Sequence, residues 1–383
     1  MTTQRPTTHL CIATGQNLAN LIPALQLKAS RVIILETPQM RLQARHLQRA
    51  LEGHGIQVVR ETFDDSTPAT VEQSAERIGV QYGEGSIVFN VTGGHKLMTL
   101  ALAHHMEVAD DLHLLYAETR NQRLDWLRPV PELQAMENAL DIDDFLIAQG
   151  YTRDTSSERD AYWQQAALER AALTRLLGDE SDKLASFFGA LNKLAGHAMS
   201  NANKGTPFRP QQRLLFTPGG RNADVLAKAH ELGLIHWDQD IEIVFASDEV
   251  ARYFGGGWLE EYVWLKLRGI RPHDSATNLT VKPAGGDIRN ELDSVVAHGN
   301  RLLVIECKTL RFGNDPLKDA DYVYKLAQLS KQIGGGMASS LLLSARPLDE
   351  ATAERAQRYG VTVLDGAGVK KLAAWIQQWM SGS

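Results

Sequence analysis

Residues 290–309 read NELDSVVAHGNRLLVIECKT. Two runs rich in β-branched and apolar residues flank the pair Gly299-Asn300, which is the pattern of a β-hairpin. A two-residue loop with glycine first predicts a type II′ turn, whose twist suits the two strands. With that turn, counting back along both strands places Asp293 opposite Glu306. A three-residue turn would shift the register by one residue and separate this pair.

The same register places Glu291 opposite Lys308, and side chains alternate along a strand, so both pairs share one face of the hairpin. Directly opposed side chains have Cβ atoms about 4.5–5.5 Å apart. Two carboxylates at that distance repel unless one is protonated or a cation lies between them. Oxygen ligands suit a hard divalent cation, so Asp293 and Glu306 are candidate metal ligands. A surface hairpin with cross-strand ion pairs is the alternative.

The order Asp293, then Glu306-x-Lys308 on the following strand, resembles the PD-(D/E)xK nuclease superfamily. The resemblance implies that the two carboxylates hold Mg²⁺ or Mn²⁺ and that Lys308 positions or activates the attacking water. Such a metal polarises a phosphate, lowers the pKa of water and stabilises the developing charge. The residues therefore suit phosphodiester hydrolysis.

Two predicted helices of residues 255–383 belong to the same expectation. The first, over 258–267, carries Glu260 and Glu261. In the superfamily this helix often supplies a carboxylate, so the resemblance makes Glu260 the third metal ligand, with Glu261 or Glu291 as alternatives. Either helix acid is otherwise a solvated residue favoured by the helix dipole. The second helix, over 319–333, would face the cleft, or merely solvent, with Tyr324, Lys325 and Gln328.

Residues 1–150 alternate strand-like and helix-like segments, which predicts a parallel, doubly wound α/β sheet. Strands are expected at 9–13, 31–36, 57–60, 86–90 and 113–118, with 123–128 as an added antiparallel edge strand. Helices are expected at 17–25, 38–53, 69–82 and 95–108. Such sheets bind ligands at the carboxyl ends of their strands, so the segments after the first and fourth strands are candidate binding loops.

These loops read Thr14-Gly15-Gln16-Asn17 and Asn90-Val91-Thr92-Gly93-Gly94-His95-Lys96. Paired glycines let backbone N–H groups approach a phosphate, and a helix N-terminus favours an anion. Neither loop is a G-x-G-x-x-G or a G-x-x-x-x-G-K-[ST] motif, which argues against a dinucleotide-dependent redox enzyme and a P-loop NTPase. An ordinary tight strand-to-helix turn is the alternative.

The second loop, at Asn90, Thr92, Gly93, Gly94 and Lys96, resembles the CARF domain, the CRISPR-associated Rossmann fold. The resemblance implies a pocket for cyclic oligoadenylate, which the first loop also lines. Many relatives carry a hydroxyl residue at the place of His95, so His95 either contacts the ring, assists its slow cleavage, or only begins a helix. At the end of the second strand, Glu36 and Thr37 either face the same pocket or start a helix.

Residues 151–254 are expected to form a mostly helical connector with a small helix-plus-hairpin unit that loosely resembles a winged helix. Its stretch 201–221 is locally basic and rich in loop-forming residues. It either touches substrate phosphates or is a polar surface loop. The basic residues are Lys204, Arg209, Arg213 and Arg221.

Composition bounds the remaining possibilities. A chain of 383 residues with 43% hydrophobic residues predicts two or three domains with sizeable cores. The net charge of −6 gives no global basic signature, so nucleic acid would meet a local patch or an assembly. Cys11 and Cys307 fall in predicted buried strands, as expected for core residues in a reducing compartment. We find no signal peptide or membrane-spanning pattern and expect a soluble, cytoplasmic protein.

The order of CARF domain, connector and PD-(D/E)xK domain resembles the single-CARF effector nucleases of type III CRISPR defence. The resemblance implies a homodimer that binds cyclic tetra-adenylate in one shared pocket and then cleaves DNA or RNA with Mn²⁺ or Mg²⁺. Three alternatives stay open. They are a CARF sensor with a degenerate nuclease domain that acts by binding nucleic acid or protein, a ring nuclease that degrades the messenger, and a repair or restriction nuclease that senses another nucleotide.

Overall fold

The computed structural model describes residues 7–200, 205–313 and 315–382. Its first layer is a seven-stranded sheet in the order β3-β2-β1-β4-β5-β6-β7. Strands β1 to β5 are parallel, and β6 and β7 are antiparallel additions. The strands are β1 (Thr8–Ile12), β2 (Arg31–Glu36), β3 (Gln57–Thr62), β4 (Ser86–Asn90), β5 (Asp111–Glu118), β6 (Arg123–Arg128) and β7 (Glu132–Ala135).

The predicted doubly wound α/β fold of this part is confirmed. The central strands β1, β2 and β4 are covered on both faces by helices, so they are almost entirely buried, whereas the edge strand β3 is polar and partly exposed. The expectation that β6 forms the edge is wrong, because β7 pairs with it and takes that position. The helices are α1 (Leu18–Gln26), α2 (Arg41–Gly53), α3 (Pro68–Tyr82), α4 (Lys96–His105) and α5 (Ile142–Ala148).

A second, six-stranded sheet has the order β16-β15-β14-β13-β12-β8. Its edge strand β8 comes from the start of the predicted connector and pairs with β12. The strands are β8 (Tyr151–Thr155), β12 (Asp274–Pro283), β13 (Asn290–His298), β14 (Arg301–Lys308), β15 (Ala338–Ser344) and β16 (Val361–Asp365). The helices around it are α11 (Trp258–Ile270), α12 (Pro316–Gly334), α13 (Glu350–Arg358) and α14 (Leu372–Ser381).

Between the two sheets the chain forms a mainly helical unit. Its small sheet, in the order β10-β11-β9, packs beside α9, as the helix-plus-hairpin prediction expects. The elements are α6 (Ala161–Glu169), α7 (Ala171–Asp179), α8 (Ser181–Ala198), β9 (Gln211–Arg213), α9 (Arg221–Glu231), β10 (Ile235–His236), β11 (Glu242–Phe245) and α10 (Asp248–Arg252).

Strand β14 lies inside the second sheet and separates two hydrophobic cores. Leu303 and Ile305 enter a core shared with α8 and α11, while Leu302 and Val304 enter a core shared with β1, α1 and α2. The alternation follows from the two-residue period of a strand. Because the second core joins the first domain to the second sheet, the two parts of the molecule pack directly on each other.

The β13–β14 hairpin has the predicted register, with His298 opposite Arg301 and Ser294 opposite Ile305. The predicted turn type is wrong. Gly299 and Asn300 both have positive φ, +58° and +51°, which defines a type I′ turn. Asparagine tolerates the left-handed conformation, so a Gly-Asn pair satisfies type I′ as well as type II′.

Asn300 also fastens this turn to the first domain. Its buried side chain accepts hydrogen bonds from the backbone N–H groups of Ala139 and Leu140 and donates one to the carbonyl of Glu137. Gly299 donates its N–H to Asn138 Oδ1 at 2.9 Å. The far end of the hairpin is thus held by the segment that follows β7.

No helix within the described ranges combines the length and apolar character needed to cross a lipid bilayer. Cys11 and Cys307 are buried, free thiols, as expected for core residues.

Candidate active site and ligand-binding loops

The structure brings Asp293, Glu306 and Lys308 together at the open end of the hairpin. The Lys308 ammonium lies 2.5 Å from Glu306 Oε1 and 3.8 Å from Asp293 Oδ2. All three side chains are mostly buried, with exposed fractions between 16% and 21%. Asp293 Oδ2 also accepts the Cys307 N–H at 2.7 Å. The cation that the paired carboxylates require is, in this arrangement, the lysine itself.

Neither of the predicted cross-strand pairs, Asp293 with Glu306 and Glu291 with Lys308, is a ladder pair. Backbone pairing of β13 with β14 reaches Ser294 and Ile305 and goes no further towards the open end. Beyond that point the Asp293 side chain takes the N–H of the next strand, which replaces a ladder hydrogen bond. Glu291 is exposed and pairs with Thr280 on the other side of β13.

Helix α11 separates the two candidate glutamates at its start. Glu260 lies towards the hairpin, where the charges of Asp293, Glu291 and Lys308 affect its pKa. Glu261 points into the core, where it is 2% exposed and is held by the Arg170 guanidinium. Adjacent helical residues are about 100° apart around the axis, so they face different surroundings. Glu260 therefore lies on the same side as Asp293 and Glu306, and these three residues are called the acidic cluster below. Glu261 instead pairs with Arg170.

The acidic cluster is electrostatically costly in the protein alone. Burial, reinforced by the charges of Asp293 and Glu291, raises the pKa of Glu260 to about 8. Burial and the Glu306 carboxylate raise the pKa of Asp293 to about 7, although Lys308 opposes this. Burial lowers the pKa of Lys308, but Asp293 and Glu306 outweigh it and the net pKa is raised. At neutral pH Lys308 is a cation, and Glu260 and Asp293 are not fully ionised.

This donor set fits a hard divalent cation. Glu260, Asp293 and Glu306 supply only carboxylate oxygens, which Mg²⁺ and Mn²⁺ prefer. The pKa values of Glu260 and Asp293 are raised because their ionised forms are disfavoured in the protein alone. A bound cation would favour these ionised forms. Within the described residues, however, no group of three or more His, Cys, Asp or Glu side chains has the spacing of a preformed ion site. Metal binding would therefore require these side chains to move closer together.

Helix α12 lines the cleft beside Glu306, as predicted, but the contact to Lys308 comes from Tyr322. The Lys308 ammonium lies 4.9 Å from the centroid of the Tyr322 ring, a cation–π contact. A cavity of about 380 Å³ is lined by Glu306, Tyr322, Lys325 and Gln328, among others. Predicted Tyr324 points elsewhere, with its ring against Tyr359. Sequence reasoning missed Tyr322, although its three-residue spacing from Lys325 places both on one helical face.

On the other side of the cluster, Glu260 opens into a second cavity of about 500 Å³. It is lined by Tyr162 and Trp163 of α6, by Arg252, and by Asn278 of β12. Glu260 and Glu306 thus line two different cavities.

The two predicted binding loops meet at the carboxyl ends of β1 and β4. A Cβ at Gly93 would lie 2.5 Å from the Ile12 carbonyl and 2.9 Å from the Thr14 side chain. Gly94 has a φ of +81° and packs against the Ile12 side chain. The glycines are thus needed where one loop crosses the other, and Gly15, Gln16, His95 and Lys96 are exposed around the crossing.

Asn90, Thr92 and Asn17 hold the loops in shape. Asn90 donates to Ala19 O and accepts from the N–H and hydroxyl of Thr92, which in turn accepts the Ala117 N–H. Asn17 is 1% exposed and donates to the carbonyls of Gln43 and Ala148. The Asn90 amide and the Thr92 hydroxyl are thus engaged within the protein, whereas the buried Asn17 Oδ1 has no partner among the described residues.

The exposed loop residues have other partners. His95 is the N-cap of α4, accepts the Met98 N–H and lies 3.6 Å from Asp65. The Gln16 side chain accepts the backbone N–H of Gly336, which follows α12. The Lys96 side chain is exposed at the first position of α4.

Two weaker predictions have simple local explanations. Glu36 is buried and paired with Arg60 at 3.2 Å, and Thr37 is the N-cap of a short 3₁₀ turn. In the basic stretch, Lys204 lies outside the described residues. Its described arginines are exposed but do not line the two cavities beside the acidic cluster; these are Arg209, Arg213 and Arg221.

Comparisons with known proteins agree with this two-part architecture. The model of the Card1 CARF domain matches residues 8–145, and that of the Card1-like endonuclease domain matches residues 247–382. The chain therefore joins a CARF domain to an endonuclease domain. Both domains are of the Card1 type.

Two solved structures share the fold over almost their whole length, and a third matches it over about half of its own chain. The structure of Can2 from Sulfobacillus thermosulfidooxidans in complex with cyclic tetra-adenylate has a TM-score of 0.77 and 23% identity, covering 97% of this chain and 99% of its own. Protein VC1899 from Vibrio cholerae has a TM-score of 0.81 and 20% identity, covering 98% of each chain. A type III CRISPR defence DNA nuclease activated by cyclic oligoadenylate has a TM-score of 0.54 and 16% identity, covering 90% of this chain and 46% of its own. No curated protein matches the chain.

Proposed function

We propose that this protein is a metal-dependent nuclease of type III CRISPR defence that cyclic oligoadenylate activates and that works as a homodimer. The observation that carries the proposal is the Lys308 ammonium in contact with Asp293 and Glu306 on an endonuclease-type domain, with Glu260 near enough for the charges of Asp293 and Lys308 to affect its pKa. The Can2 structure, which contains cyclic tetra-adenylate, supports that ring as the activator. The nucleic acid is DNA, RNA or both.

The proposed mechanism gives each residue of the cluster one task. Glu260, Asp293 and Glu306 would hold Mn²⁺ or Mg²⁺ through their carboxylate oxygens. When bound, the metal supplies charge stabilisation for the phosphate and lowers the pKa of water. The raised pKa of Lys308 favours a role as a cation that orients water and phosphate, rather than as a general base. Tyr322 holds the ammonium in place through its ring.

The ring pocket would be built from the two binding loops. Gly93 and Gly94 bring backbone close to the end of β1, and Lys96 is exposed at the start of α4, where it can meet a phosphate. Leu97 and Leu100 on the same helix are 54% and 68% exposed, which supports a protein contact beside the pocket. A two-fold dimer through this region would present two copies of the loops to a two-fold symmetric ring.

Activation would pass through Gln16. Its side chain stands in the first binding loop and accepts the Gly336 N–H at 3.3 Å, immediately after the helix that lines the cleft. A ring phosphate or base that competes for Gln16 would free the end of α12, and with it Tyr322 and Lys325. Such a shift requires the ring to bind the active arrangement more tightly than the resting one.

The test is cleavage of labelled single-stranded DNA, single-stranded RNA and plasmid, with Mn²⁺ or Mg²⁺, with and without cyclic tetra-adenylate. Cleavage should need both metal and ring and should vanish in Glu306→Gln. Glu354→Gln, a charge-matched change on the exposed face of α13, should cleave normally. Ring-independent cleavage would remove the sensor half of the proposal, and ring binding without any cleavage would remove the nuclease half.

A further inference from the structure

Asn278 interrupts β12 at the position opposite the predicted metal ligand Asp293. Thr277 pairs with Ser294 and Leu279 pairs with Leu292, but no pair joins the two residues between them. Asn278 has a φ of +49°, the left-handed region that residues other than glycine rarely adopt inside a strand. Conformations of this kind persist where the surroundings enforce them, and they are concentrated at functional sites.

The unusual backbone brings the Asn278 amide to the acidic cluster. Its side chain lines the same cavity as Glu260 and opposes the rise in the pKa of that carboxyl group, and its Nδ2 donates to Ser157 Oγ at 3.1 Å. Its Oδ1 is shielded from solvent and has no partner. The residue lines the cavity that contains Glu260 and the neighbouring cavity over Ser157. The amide is therefore anchored to Ser157 at the edge of the cavity that Glu260 also lines.

A purely structural kink does not need this amide. Glycine would adopt the same φ without strain, so what asparagine adds is the side chain and its contacts. An N–H donor is also suited to a carboxylate in a crowded acidic cluster, because it neither adds negative charge nor competes for a cation. Groups that hydrogen-bond a metal ligand fix its orientation, and their loss typically weakens metal affinity 10–100-fold.

We propose that Asn278 is the positioning residue for Glu260. It holds the carboxylate towards Asp293, so that the third oxygen ligand is in place before the cation arrives. This inference rests on the proposed nuclease function, because it assigns Asn278 a part in the same metal site.

The test compares Asn278→Gly and Asn278→Asp in the full-length protein. Glycine keeps the left-handed backbone and removes the amide, while aspartate keeps the size and removes the donor. The first readout is Mn²⁺ binding, measured by the electron paramagnetic resonance signal of free Mn²⁺ without nucleic acid. The second is kcat and KM for cleavage. Gln239→Gly is the control, because Gln239 also has a positive φ, +63°, but lies in an exposed loop.

Both Asn278 variants should bind Mn²⁺ about 10-fold more weakly, with kcat reduced and KM for nucleic acid unchanged, and Gln239→Gly should match the wild type. Normal Mn²⁺ binding in Asn278→Gly would overturn the inference. Tighter binding in Asn278→Asp would also overturn it, because the side chain would then be a ligand itself. If Glu260→Gln weakens binding and Asn278→Gly does not, only this inference fails. If the wild type binds no Mn²⁺, the proposed function fails with it.

Discussion

The neighbours Glu260 and Glu261 should respond in opposite ways to the same substitution. Glu261 faces Arg170, and both side chains are almost fully buried, with exposed fractions of 3% and 7%. Glu260 faces the acidic cluster, where its ionised form is disfavoured. Glutamine in place of either glutamate removes one charge and keeps the shape. Glu261→Gln should therefore destabilise the fold, and Glu260→Gln should abolish cleavage without destabilising it.

The magnitudes follow from the partners. Arg170 Nε lies 3.0 Å from both oxygens of Glu261, and removing one partner of a buried pair costs about 3–5 kcal/mol. The lower end applies here, because glutamine keeps an acceptor and because Glu249 lies 3.4 Å from Arg170. A loss of about 3 kcal/mol is a large part of a typical stability of about 5–15 kcal/mol.

For Glu260 the sign is reversed and depends on pH. Its pKa in the folded protein is about 8, above the ordinary value of 4.5, so ionising it opposes folding. In chelator, Glu260→Gln should match the wild type below about pH 4.5 and become progressively more stable than it as the pH rises towards 8. Its Mn²⁺-dependent cleavage should fall at least about 100-fold, more than for loss of a group that only supports a ligand.

The assay is urea unfolding, followed by tryptophan fluorescence at several pH values in chelator, beside Mn²⁺-dependent cleavage. Arg170→Gln is the matched variant and should be destabilised like Glu261→Gln. Cleavage lost in Glu261→Gln while its unfolding midpoint is unchanged would refute the assignment of the two glutamates. So would a Glu260→Gln protein that cleaves normally.

Three further changes test other parts of the molecule. Lys308→Met should abolish cleavage, because it removes the cation between Asp293 and Glu306, and should leave ring binding intact. Calorimetry with cyclic tetra-adenylate would measure ring binding. Retained cleavage would refute the role of Lys308. Gln16→Ala should change the ring concentration needed for half-maximal cleavage while leaving Mn²⁺ binding as in the wild type. A ring response identical to that of the wild type would show that Gln16 does not couple ring binding to cleavage. Asn300→Ala should lower stability by about 3 kcal/mol in urea unfolding, about 1 kcal/mol for each of three hydrogen bonds made by the buried Asn300 side chain. Gln239→Ala, which also removes a polar side chain at a positive φ, is its control, and equal unfolding midpoints for these two variants would contradict the role of the hydrogen bonds.

Local patterns predict most of the secondary structure. The apolar runs on both sides of Gly299 predict the hairpin, and its two-residue loop sets the register, because side-chain alternation makes any slip costly. Alternating strands and helices before residue 150 likewise predict the parallel sheet. The predicted turn type is wrong because Gly-Asn satisfies both hairpin turns, and contacts of Asn300 with residues 137–140 select between them.

Short-range periodicity and spacing are enough to predict the two domains, the hairpin and the cluster of Asp293, Glu306 and Lys308. They cannot show that Glu260 rather than Glu261 faces that cluster, because the buried side of the helix is defined only when it packs against Arg170. Tyr322 and Gln16 likewise acquire their partners from segments distant in sequence. Contacts of this kind depend on how whole elements pack together, and no local pattern encodes them.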